Sequence, residues 1–101
     1  MIVQGTTPVH GFQNPFNDGD IKIARFVYSQ NGKVVCAKTG EAVRITPESI
    51  TTKLTQEETY QFAPDTRVKL VLRVLTASGD ALQTEPVFLS CLGCDCKEVL
   101  Q

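Results

Sequence analysis

Tryptophan is missing from this chain, histidine occurs once, and the aromatic complement is two tyrosines and five phenylalanines. Sugars and unpaired bases are gripped by stacking on exposed aromatic faces, so platforms of that kind are poorly provided for. An excess of charge of one sign is missing too. Ten basic and eleven acidic side chains leave a formal net charge of -1, and the two kinds are interleaved along the sequence. A nucleic-acid binder needs a basic face to release counterions from phosphates, so no nucleic-acid partner is expected. Anionic membranes offer no attraction either.

Long apolar runs are absent. Nothing approaches the roughly 20 residues that span a bilayer, so no membrane partner is expected. The opening "MIVQGTTPVHGF" has no basic segment followed by an apolar one. The expectation is therefore a chain made in the cytoplasm without a signal peptide, its cysteines reduced. There is no glycine-rich phosphate loop, internal repeat, linker or low-complexity segment. With 101 residues and 42% apolar side chains, the chain reads as one domain, 1–101, ending in a cysteine-rich tail at 93–101.

What is present is strand patterning. "DIKIARFVYSQNGKVVCAKTG" holds two β-rich runs around Asn31-Gly32, a pair that supplies positive φ at both centres of a tight hairpin turn. Strands are predicted near 20–30 and 33–39. The first changes phase between Ile21/Ile23 and Phe26/Tyr28, which calls for a bulge or a switch of buried face. In "SITTKL", Ile50, Thr52 and Leu54 alternate with Thr51 and Lys53, as in a half-buried strand. Thr55 and Glu58 have the spacing of a capping box, and Pro64 limits the helix to one turn over 55–60. Val68, Leu70, Leu72 and Val74 define one wholly apolar face. "ASGD" then turns the chain, and 81–92 is predicted as a second long strand, at an edge or bulged where Pro86 lacks an amide donor. Together these predict an all-β fold: an immunoglobulin-like antiparallel β-sandwich of about seven strands, without the tryptophan and spaced cysteine pair of antibody domains.

Candidate chemistry is sparse. Cys91, Cys94 and Cys96, with Cys36 as a fourth thiolate, could hold a tetrahedral zinc if the Cys36 strand lies beside the last one. Strong zinc signals come as two close pairs, and Cys36 stands alone. The plainer reading makes Cys36 and Cys91 small core residues and leaves Cys94 and Cys96 as tail thiols, with no metal. His10 has no acid beside it and reads as an exposed strand residue rather than part of a nucleophilic arrangement. Asn17, Asp18 and Asp20 lack calcium-loop spacing and suit a turn. Glu57 and Glu58 are adjacent, not a facing acid–base pair. No catalytic residue, no cofactor and no enzymatic activity are expected.

The segments "MIVQGTTPVHGFQNPF", "IKIARFVYSQNGKVV", "ITTKLTQEETYQF", "VKLVLRVLTASGDAL" and "CKEVL", in order over most of the chain, resemble small proteins of phages and prophages of gut Firmicutes. The resemblance implies a setting: an accessory protein encoded among virion genes, made in a bacterial cytoplasm and incorporated in the virion. By analogy from fold and that setting, the expectation is a non-enzymatic structural or assembly role, with other virion or assembly proteins, or further copies of the chain, as partners. The alternatives left open are a sandwich that binds a glycan or peptide through its loops, and a small zinc protein.

Overall fold

The computed structural model describes residues 2–14 and 21–93. Its elements in chain order are β1 (Ile2–Val3), β2 (Val9–Gln13), β3 (Ile21–Gln30), β4 (Lys33–Thr39), β5 (Val43–Ile45) and β6 (Ser49–Lys53). After these come α1 (Gln56–Tyr60), β7 (Val68–Thr76), β8 (Ala81–Gln83), β9 (Val87–Leu89) and β10 (Cys91–Leu92). One sheet has the order β2-β6-β5; the other runs β4-β3-β7, with β8 and β9 both on the far side of β7. β1 lies parallel to β10. All other pairs are antiparallel.

The two sheets face each other. Phe12 of β2 meets Phe26 of β3 with ring centroids 5.8 Å apart, and Ile50, Leu54, Phe26, Tyr28, Leu72 and Phe62 share one buried cluster. With β8, β9 and β10 taken as one broken last strand, the order matches the immunoglobulin sandwich. β2, β6 and β5 hold the places of its second, fifth and fourth strands, and β4, β3 and β7 face them. The fold is all-β and immunoglobulin-like. Where antibody domains place a disulfide and a tryptophan, this core has phenylalanine, tyrosine and leucine.

Local chemistry explains most elements. Asn31 and Gly32 adopt φ of 51° and 79°, and Gln30 pairs with Lys33 across the turn. The phase change in β3 is a register slip against β7 between Ile21 and Ile23, after which Ala24, Phe26 and Tyr28 point inward. Ile50, Thr52 and Leu54 are buried as their alternation predicts, and so are Val68, Leu70, Leu72 and Val74. Thr55 caps α1: its hydroxyl accepts from the Glu58 amide, and the Glu58 carboxylate accepts from the Thr55 amide.

Two buried glutamines hold the connection after α1 in place. Gln4 Nε2 donates to the Phe62 carbonyl at 2.8 Å. The Gln30 amide bridges the Ala63 N–H at 2.8 Å and the Ala63 carbonyl at 3.0 Å. Backbone groups with no ladder partner are thus satisfied by side chains.

The last strand departs from expectation. It is not continuous over 81–92. Arg73 pairs with Gln83 and Leu70 with Val87, so three residues, 84–86, stand opposite two, 71 and 72. Thr84 closes the gap: its N–H donates to the Leu72 carbonyl and its hydroxyl oxygen accepts from the Leu72 N–H, both at 3.0 Å. Pro86, with no donor, falls in the extra stretch. Paired without this slip, Val87 would sit opposite Lys69 on the outer face. The slip turns Val87 inward and Phe88 outward.

Candidate interaction surfaces

The two described cysteines of the zinc reading do not converge. Cys36 lies on β4, and both β3 and β7 separate that strand from β8 and β9, about 14 Å at normal strand spacing. Cys91 lies on β10, paired with Ile2 of β1. The strand adjacency that a four-thiolate site required is not found. Both residues are buried members of the core with free thiols. Cys94 and Cys96 lie outside the described residues, as do Asn17, Asp18 and Asp20. Among the described residues, no three His, Cys, Asp or Glu side chains gather closely enough to hold a metal. No helix among them is long and apolar enough to cross a membrane.

Titratable groups do meet, in a cluster that the sequence did not announce. Glu58 accepts from Lys38 Nζ at 2.6 and 2.8 Å, and Cys36 Sγ donates to it at 3.4 Å. Nearby, the Tyr28 hydroxyl is 2.7 Å from His10 Nδ1. His10 is not the exposed strand residue expected of it, since even-numbered positions of β2 face the other sheet. Burial pushes the Cys36 thiol up to about 11, with the Glu58 charge adding to the effect. Burial also raises Tyr28 far above the ordinary tyrosine value, helped by Cys36 and Glu58. Burial works against ionisation of Glu58, but hydrogen bonds from Lys38, the Thr55 amide and Cys36 outweigh it and hold the carboxyl below 4.5.

At neutral pH the cluster thus holds a thiol, a phenol and a paired carboxylate. None is an activated nucleophile, because reactive cysteines depend on a depressed pKa and access. In peptide-mapped alkylation of the native protein, Cys36 and Cys91 are expected to stay unmodified until denaturant is added. Rapid native labelling of Cys36 would sink this assignment.

What remains exposed is more informative. Among the described residues, the sandwich is open along one side, between the edges of β2 and of β8/β9. A groove of about 720 Å³ there is floored by Phe12, Ile50, Leu72 and Val74 and rimmed by Leu82 and Val87. These two rim residues face inward, opposite Val74 and Leu70, yet are 46% and 41% exposed. Among the described residues, β2 pairs only with β6, and β8 and β9 only with β7.

The outer face of the larger sheet is the second surface. Charges that alternate along the sequence separate in space. Arg25, Arg73 and Lys69 stand in the outward rows of β3 and β7, whereas Lys38 of β4 turns inward to Glu58; no described strand of either sheet carries an Asp or Glu. The described acids sit in turns, in the 3-10 turn at Gly40–Ala42, in α1 and, for Glu85, in the slip between β8 and β9.

No protein-family model and no curated protein matches the sequence. Among solved structures the chain is similar to the V domain of amphioxus IgVJ-C2, at 10% identity over 90% of this chain and 95% of that one, with a TM-score of 0.36. Strand order, not that likeness, makes the fold immunoglobulin-like.

Both surfaces escaped the sequence for one reason: which strand is an edge, and which residues share a face, follow from pairing. One signal was available. "VHGFQ", "ALQ" and "VFL" contain no formally charged residue apart from a histidine, whereas "KVVCAKT" and "VRI" contain cations.

Proposed function

We propose that this is a non-enzymatic structural or assembly protein of a phage or prophage, working through protein–protein contacts made by strand addition. The observation that carries the reading is the distribution of charge over sheet edges. Soluble β-proteins blunt exposed edges with charge, lysine above all. Here β4 carries Lys33 and Lys38 and β5 carries Arg44, on the two edges away from the groove. Of the two edges that flank the groove, β2 bears no lysine, arginine or carboxylate, and the β8/β9 edge bears only Glu85, in the stretch between its two halves. An extended strand from a neighbouring subunit would find edges that pair with no second described strand and an apolar floor for alternate side chains, the pattern of β-augmentation. The virion setting follows from the resemblance noted in the sequence.

A glycan-binding role fits less well. Phe88 is the one large aromatic that is more than a third exposed among the described residues, and the Arg67 guanidinium covers its ring at 4.2 Å.

The test is to induce the prophage, purify particles on a gradient and search them for peptides of this chain. The chain should co-sediment with particles or assembly intermediates. Leu82→Lys with Val87→Lys, which places charge on the groove rim, should abolish that association while leaving the free protein's melting temperature nearly unchanged. A chain never found with particles would overturn the reading.

A further inference from the structure

We propose that the outer face of the larger sheet is a docking surface for a carboxylate-rich face of another protein, with Arg25 and Arg73 as its paired anchor. This names a second contact within the assembly role argued above.

Arg25 and Arg73 stand directly opposite each other across β3 and β7. Like charges in that arrangement repel, and a sheet under selection for stability alone favours opposite charges there. Among the described residues neither arginine has a carboxylate partner; the one ion pair there is Lys38–Glu58. The pair borders a cleft of about 240 Å³ whose other walls include Ile23 and Leu75, so the two guanidinium groups rise beside apolar surface. Arginine recognises carboxylates through a planar fork of donors, and two forks side by side suit adjacent acidic side chains.

The rest of the face agrees. Successive cross-strand rows alternate in character: Ile23 with Leu75, Arg25 with Arg73, Val27 with Val71, Ser29 with Lys69. Phe88 continues the last row beyond Lys69, and Val34 flanks Ser29 on the other side. Phe88 and Val34 are 51% and 64% exposed. Such a mixture of arginine, aromatic and aliphatic surface suits a protein partner, since protein interfaces are enriched in arginine and aromatics. Phosphate backbones would instead reward a continuous run of cations.

The partner is not a second copy of this chain. A two-fold dimer through this face would set arginine against arginine. Since no described strand bears an acid, the described sheets of a second copy offer no carboxylate-rich face either.

The test measures binding of a labelled peptide of alternating glutamate and valine to the purified chain by fluorescence anisotropy. Wild-type protein should bind it, and Arg25→Glu with Arg73→Glu should weaken binding on the order of tenfold or more. Reversing Arg44 and Lys53, exposed cations of the other sheet, should leave affinity unchanged. Arg25→Gln with Arg73→Gln gives the same reading should charge reversal impair folding.

Three results would each overturn the proposal: no binding by the wild type, equal losses from both pairs of reversals, or tighter binding of duplex DNA than of the peptide. Particle association through the groove does not depend on these arginines. A failed peptide result with intact particle association therefore rejects this surface alone.

Discussion

Phe26→Ala should lower the unfolding free energy by about 3–5 kcal/mol, the range for deleting a buried aromatic side chain. Phe26 is fully buried and sits on β3, between β4 and β7, so its surroundings are held from both sides. Its ring meets Phe12 across the sandwich and its backbone pairs with Leu72. Nothing nearby can close over the space it would leave. Leu72→Ala provides the comparison. Leu72 is also buried, but it forms part of the groove floor, where solvent or a neighbouring rim residue can take up space. Its cost belongs at the lower end of the roughly 2–5 kcal/mol typical of leucine truncation. Denaturant midpoints with unchanged slopes are the measurement. If Leu72→Ala proves the more damaging, the groove is closed in solution and its open floor is wrong.

Glu58→Ala should cost about 2–4 kcal/mol, the sum expected of a lost cap and a broken, partly buried ion pair. This carboxylate does three things at once. It accepts the Thr55 amide at the start of α1, neutralises Lys38, and receives the Cys36 thiol. Both partners of the ion pair are largely screened from water, with side chains 12% and 22% exposed. Removing the acid leaves an ammonium group against the core without its counter-charge. Glu58→Gln keeps one acceptor for the cap but loses the charge and the second acceptor that serves Lys38 and Cys36, so about half the penalty should remain.

The acid limb separates these contributions. Glu58 is held below its ordinary value of 4.5 in the folded state, by hydrogen bonds that overcome its burial. Folding therefore favours the ionised form. That contribution is complete above the unfolded value and disappears as pH falls through the lower, folded one. The stability gap between wild type and Glu58→Gln should narrow as pH drops below about 4.5. A gap that stays constant into the acid range would show that charge at Glu58 contributes nothing.

Much of this fold was legible where the chain makes its own decisions. The Asn31-Gly32 turn, the Thr55–Glu58 cap and the alternation of 68–74 each depend on a few consecutive residues, and each was read correctly. The phase change near Ile23 was legible as well, because Ile21 and Phe26 cannot share one face of a strictly alternating strand. Pro86 announced trouble in the last strand but not its form. Which residue would fill the gap depended on Leu72, far away in sequence, needing a partner for its N–H.

The surfaces were out of reach for a related reason. Arg25 and Arg73 each look like an ordinary outward cation in an alternating strand, and only the pairing of β3 with β7 sets them side by side. The same holds for Cys36 and Glu58, and for His10, whose inward direction depends on which face of β2 meets the other sheet. Net charge near zero concealed the separation altogether, since the sum is blind to where the acids and bases lie.

The slip at Thr84 gives the two surfaces a common ancestry. Val87 reaches the groove and Phe88 reaches the basic face because one extra residue was accommodated there, and the Thr84 hydroxyl marks the spot. They cannot drift independently under mutation. A descendant that lost the slip but kept the sequence would exchange the two side chains, putting an aromatic into the groove and a valine beside Lys69. Any lineage that retools one contact in this way must retool the other in the same generation.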